Sequence, residues 1–366
     1  MKKIALYSLL IGAGMLMTAC SEDYKDWEDP EYNPQPEAIT VNITATPAAA
    51  INIPSETADS VQIFVPTIKI NRDGAVTNFD VAIYNGTKTD SIVITAAQNG
   101  KARTSDVQGA FLALFGPEEV ARTATANLTA HTLVAGTMVT NYVEGVQIVA
   151  TPKYQDLPPV WYMLGNCIGR GTWVNNRVMG LYTSLVAMYP NPQNYDELIY
   201  ASYFPEGTEF QIILEPGNKD NIFCADAAGN IIKSETRPDG ATTKNIGVPA
   251  AGYYKVTANV VNMTVTMTPI TTTVVLLNSL KMGDIALGPV TTATIGENHD
   301  WVGDANFAAD GTVTFSGASD TKEYTWGGTS FPAGKASIGG SPVPCKTGSY
   351  KIVFNDLLGV YSFIAK

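Results

Sequence analysis

From Ile39 onward this chain places apolar residues at every second position, and that spacing restricts its fold more than any other feature. Ile39, Val41 and Ile43 alternate with polar residues, and so do Val61, Ile63 and Val65. The pattern returns at Phe79, Val81 and Ile83, at Ile92 and Ile94, and at Val146 and Ile148. Successive side chains of a strand point to opposite faces, so a period of two means strands with one buried face. Asn71-Arg72-Asp73-Gly74, Asn85-Gly86 and Asn99-Gly100 supply the turns between them. One helix interrupts the series. Val107, Phe111 and Leu114 form its apolar face, Ser105 and Gln108 have capping-box spacing, and Gly116-Pro117 ends it. Residues 39–152 are thus expected to form an immunoglobulin-like sandwich.

Asp156-Leu157-Pro158-Pro159 reads as a linker, and two further β segments follow, 157–270 and 272–366. Their endings share a pattern: Gly252-Tyr253-Tyr254-Lys255-Val256 and Gly348-Ser349-Tyr350-Lys351-Ile352, each followed by a turn and an alternating strand. This weak internal repeat predicts tandem, separately foldable β modules in which Tyr254 and Tyr350 hold matching places on closing strands. Apolar residues make up 45% of the 366, enough for several cores. The expected fold class is all-β, in tandem sandwich modules.

The amino terminus constrains location. Lys2-Lys3 precede an apolar run from Ile4 to Met17, too short to span a bilayer, and Ala19 stands before Cys20. Residues 1–19 read as a lipoprotein signal peptide cut before Cys20, whose thiol is then acylated. Acyl chains add roughly 0.8 kcal/mol per buried CH₂, so more than one chain on Cys20 holds the protein to a membrane. Residues 20–38 form an acidic, proline-bearing tether; its stretch from Ser21 to Pro36 reaches at most ~55 Å when extended. The net charge of −11, more negative still without the leader's lysines, argues against nucleic acid as a partner.

These features together resemble the SusE/SusF family of Bacteroidetes outer-membrane lipoproteins: the lipobox with its acidic continuation from Met17 to Asp23, an amino-terminal sandwich, and tandem modules ending in Gly-x-Tyr-Lys-Val/Ile. The stretches Leu164-Gly165-Asn166 to Trp173 and Gly207 to Leu214 are similar to strands of the family's first carbohydrate-binding module. Where family modules often carry a tryptophan, Gly217-Asn218-Lys219-Asp220 stands here. The resemblance implies two carbohydrate-binding-like modules after the immunoglobulin-like domain. It also implies a surface-exposed, outer-membrane location and a non-catalytic role in binding starch or another polysaccharide, beside SusC/SusD-like partners.

A sugar presents one apolar face and a rim of hydroxyls, which an exposed aromatic ring and planar polar side chains complement. Trp173, in the glycine-bearing polar stretch that begins at Arg170, is the first candidate platform, with Arg170 at its edge. Trp301, within Glu297-Asn298-His299-Asp300-Trp301-Val302-Gly303-Asp304, is the second, and both are expected to lie exposed in loops. Trp326, before Gly327-Gly328, and Tyr182 follow, with Tyr324 weaker. Trp161 alternates with apolar neighbours and reads as core, and Trp27 lies in the tether. The oxygen-rich loop around Asp300 and Asp304 reads as solvated; its spacing fits no EF-hand, and no cofactor or metal is expected. Cys167 and Cys224 either bridge or, the preferred reading, sit buried as small hydrophobes. His131 and His299 belong to different modules and no catalytic motif is present, so an enzyme is not expected. The competing class is a structural or adhesive surface lipoprotein that binds protein partners.

Overall fold

The computed structural model describes residues 38–86, 91–218, 222–225, 231–234 and 244–366. The leader, Cys20, the acidic tether and Trp27 lie outside the described residues, as do Lys219 and Asp220 and the turn expected at Asp226–Asn230.

The amino-terminal domain is built on seven strands in the order Ile51–Asn52, Thr137–Thr151, Arg122–Val134, Gly74–Tyr84, Ile92–Ala97, Lys101–Arg103, Ser60–Gln62. A two-stranded ribbon, Val41–Pro47 with Phe64–Ile70, contributes Ile43, Ala45 and Ile68 to the same core. The two layers are therefore unequal, seven strands against two plus a helix. Alternation maps onto burial: Ala124, Ala126, Leu128, Ala130, Thr132 and Val134 all point inward from one strand. The period breaks at two places, and each break is a β-bulge. Thr77 is an extra residue opposite Thr132 and His131, and it shifts the phase so that Val76 and Phe79 both face the core. The second bulge falls at Gly145, whose φ of 76° favours glycine and whose N–H donates to Asn127 Oδ1 at 3.2 Å.

The expected helix, α1, runs Thr104–Phe115 and buries Val107, Ala110, Phe111 and Leu114. Gly116 closes it with φ 86° and an N–H donated to Leu112 O. No capping box forms at its start. The Gln108 side chain instead clamps the backbone of Lys153, donating to its carbonyl at 2.7 Å and accepting from its N–H at 2.8 Å. That clamp ties α1 to the chain just after the strand Thr137–Thr151.

The middle module has two sheets. One orders Leu185–Ala187, Tyr162–Gly165, Glu209–Ile213, Ile222–Ala225, Ile231–Ser234, with Ile246–Gly247 also on Glu209–Ile213; the other orders Tyr189–Asn191, Asn194–Phe204, Gly252–Asn259, Thr264–Pro269. The carboxy-terminal module has a nine-stranded path in which Asp300–Phe307, Gly348–Asn355 and Val360–Ala365 are neighbours. The shared ending recurs in three dimensions. Tyr254 and Tyr350 are each the third residue of a closing strand. Tyr254 lies between Ser202 and Pro269, and Tyr350 between Ala305 and Ala365, in equivalent antiparallel registers.

No sheet mixes strands of the two modules, but their interiors do mix. Val290, Val353 and Val360 pack into the middle module's apolar core. A buried polar cluster crosses the same boundary. Tyr189 donates to Asp300 Oδ1 at 3.2 Å, and Asn355 Nδ2 donates both to that oxygen, at 2.9 Å, and to Ala201 O, at 2.8 Å. The carboxy-terminal module also meets α1, where the Thr329 hydroxyl donates to Leu114 O. Cys167, Cys224 and Cys345 are buried thiols, so the disulfide alternative for Cys167 and Cys224 is not realised; burial pushes the Cys167 thiol up to about 12.

Candidate functional site

The segment 166–184 joins Tyr162–Gly165 to Leu185–Ala187 and carries the exposed tryptophan. Its base is rigid for identifiable reasons. Asn166 brackets Glu209, donating from its backbone to Glu209 O at 3.2 Å and accepting the Glu209 N–H on Oδ1 at 2.8 Å. Cys167 and Ile168 are fully buried and pin the chain. Gly169, at φ 59°, lies so close to Thr183 O that a Cβ there would sit 2.1 Å from it. Two bonds come from the neighbouring module: Thr292 N–H to Gly169 O at 3.0 Å, and Gly169 N–H to Thr291 Oγ1 at 3.2 Å. The Thr172 and Ser184 hydroxyls meet at 2.5 Å across the loop's mouth.

Beyond that base the loop turns outward. Trp173 is 41% exposed, with exposed Arg170 three residues before it and exposed Arg177 four after. Asn175 ties the loop to its neighbour by donating to Asn218 O at 3.0 Å and accepting the Gly217 N–H at 2.8 Å. Asn176 Oδ1 accepts the N–H groups of Val178 and Met179 at 2.9 and 3.0 Å, a turn that thrusts both apolar side chains into solvent. At the far end Tyr182 is half-buried, at φ 58°, against Tyr162 edge-on at 6.3 Å, with Lys351 Nζ 5.3 Å from its ring centre. Burial raises its phenol well above the ordinary range. The loop offers a flat ring, two guanidinium forks and side-chain amides on one short segment, the elements that bind a hydroxyl-rich ring.

Two expected platforms are corrected. Trp301 is not in a loop: it lies on strand Asp300–Phe307, is 3% exposed, and donates Nε1 to Asp356 Oδ2 at 3.2 Å. Trp326 is 6% exposed, stacked on Tyr324 at 5.5 Å and edge-on to Phe354 at 5.6 Å. Neither has a free face for a ligand. The polar residues beside Trp301 misled because they are themselves interior. His299 pairs with Asp356 at 2.7 Å with both side chains sealed from solvent. Asp300 is fully buried, and burial lifts its carboxyl to about 7. Asp304 alone of that run is exposed, held below the ordinary carboxylate range by hydrogen bonds from Lys351 and Lys366. Trp161 is core, against Phe223.

Arg170, Trp173 and Tyr182 share this segment with Asn175, Asn176 and Arg177, which mark it as a polar loop, and with Val178 and Met179, which residue type does not single out. The available signal was negative: the stretch is long, glycine-bearing and lacks strand alternation.

An all-β chain of tandem modules, with an exposed aromatic loop on the middle one, is the architecture described so far. Residues 20–152 match the family model described as the N-terminal domain of outer membrane protein SusF. SusF of Bacteroides thetaiotaomicron is 44% identical over 66 residues, which cover 17% of this chain and 14% of that protein. The crystal structure of SusF from Bacteroides thetaiotaomicron aligns over 89% of this chain and 76% of that one, at 16% identity and a TM-score of 0.24, too low to compare arrangements. The likeness to SusF in sequence lies in the amino-terminal third of this chain.

Proposed function

We propose that this chain is a non-catalytic glycan-binding lipoprotein, anchored through Cys20 to the outer membrane and exposed at the cell surface. In this reading it holds polysaccharide, starch or another glycan, beside SusC/SusD-like partners. The observation that carries the reading is the exposed Trp173, held on a braced loop between two arginines. The similarity of residues 20–152 to a SusF domain supports the location and the system. The His–Asp pair of the carboxy-terminal module, His299 with Asp356, is buried, and Asp356 accepts from Trp301 Nε1. Affinity electrophoresis of residues 39–366 through gels bearing a panel of polysaccharides tests it. Retardation by at least one glycan, lost in Trp173→Ala without a fall in melting temperature, is expected. Unretarded migration in every gel, or retention unchanged by the substitution, would overturn it.

One observation favours the second reading, a surface protein that binds other proteins. Leu133, Met138 and Tyr142 all stand exposed on the Arg122–Val134 and Thr137–Thr151 hairpin, at 45%, 56% and 74%. Such a row of apolar side chains suits a protein contact. In that reading Tyr142→Ser would weaken a partner interaction and leave glycan retention unchanged.

A further inference from the structure

The charge around Trp173 narrows what its ligand can be. The chain as a whole is acidic, with 34 carboxylates to 23 lysines and arginines, yet residues 166–184 contain Arg170 and Arg177 and no acidic residue. Both arginines are exposed, and among the described residues neither makes an ion pair. The carboxylates nearby are already engaged: Glu209 accepts from Asn245, Glu215 from Asn218 at 3.1 Å, and Asp304 from Lys351 and Lys366 at 2.5 and 2.8 Å. Lys351, over the Tyr182 ring at the loop's other end, is already paired with Asp304, so the two arginines are the loop's cations without a counter-charge. An exposed aromatic ring with two unpaired arginines within four residues of it in the chain suits a sugar that brings its own anion. Arginine's rigid fork matches a carboxylate or sulfate through two parallel N–H bonds, whereas a neutral hydroxyl uses only one of them.

We propose, on the basis of the glycan-binding reading, that the ligand of this loop is a polyanionic polysaccharide bearing carboxylate or sulfate groups. Arg170 and Arg177 read its charge and Trp173 stacks on its ring.

Two matched pairs of polymers test this with the chain from residue 20 carrying Cys20→Ser: polygalacturonate against its methyl ester, and dextran sulfate against dextran. The expected result is retention by at least one charged member and not by its neutral twin, weakening as salt rises because exposed charges are screened. Arg170→Gln and Arg177→Gln should each weaken that binding on the order of tenfold, and the pair more, with melting temperature unchanged. Arg170→Lys should recover only part, since lysine is a point charge. Retention of both twins alike, or of starch without salt dependence, would overturn the charge-reading assignment and leave the glycan reading standing. Retention of no polymer, charged or neutral, would overturn both. Charge-selective retention that persists in the double arginine variant would place the anion site elsewhere and overturn this one.

Discussion

Asp300 shows how far a single side chain can depart from what its neighbours in sequence suggest. It lies among Glu297, Asn298, His299 and Asp304, and reads as a solvated loop. In the structure it is fully buried between two modules, accepting from Tyr189 and Asn355, while Oδ2 is left without a partner. The Tyr200 hydroxyl lies close to it but completes no bond of good geometry. Asp356, itself raised by burial, and His299 are the other titratable groups facing it. A carboxyl at about 7, against an ordinary 3.8, binds a proton in the folded state that the unfolded chain has released. Stability from this group is therefore full below about 4 and declines as pH rises to about 7. The slope is at most on the order of 1.4 kcal/mol per pH unit. Thermal melts between pH 4 and 8 should show that decline, and Asp300→Asn should flatten it. An identical slope in the variant would show that Asp300 stays ionised throughout. The tryptophans divide by the same logic. Trp301→Ala should cost ~3–5 kcal/mol, as deletion of a packed core ring does, and Trp173→Ala less than about 1 kcal/mol. Chemical denaturation curves of the two variants check the contrast.

At the scale of elements, the strands around Phe79–Ile83, Ile92–Ile94 and Val146–Ile148 were legible because alternation and burial coincide, whereas Arg122–Val134, whose inward positions are mostly alanines, was passed over. The bulges at Thr77 and Gly145 were not, since each shifts the phase by one residue and only the partner strand reveals it. The helix was legible from Val107, Phe111, Leu114 and Gly116. The partner of Gln108 was not, because Lys153 lies 45 residues further along the chain. The loop that carries Trp173 was readable as non-strand, but its bracing comes from Thr291 and Thr292 of the next module. Two left-handed glycines separate conformational cost from steric cost. Gly145 has open space where a Cβ would stand, whereas at Gly169 a Cβ would meet Thr183 O at 2.1 Å. Gly145→Ala should cost about 1 kcal/mol. Gly169→Ala should cost several times that and displace the loop, which differential scanning calorimetry and the near-ultraviolet signal of Trp173 would register.

For the molecule as a whole, the tandem repeat foretold matching Tyr254 and Tyr350 but not how the modules meet. Nothing local in sequence marks Val353 and Val360 as belonging to another module's core, for a valine on a strand looks the same whichever interior it enters. The shared apolar core and the Tyr189–Asp300–Asn355 cluster predict that residues 157–366 unfold in one transition, so that residues 157–270 expressed alone melt far below the intact chain. Two separate transitions would instead support independently folding modules. The proposed glycan surface depends on this union, since the loop's base is bonded across the boundary through Gly169. The most direct test is a tryptophan footprint on residues 39–366. Oxidation by N-bromosuccinimide should modify Trp173 first, with Trp161, Trp301 and Trp326 protected, and a retained polysaccharide should slow that modification. Oxidation of Trp173 at the same rate with and without a bound glycan would contradict the account.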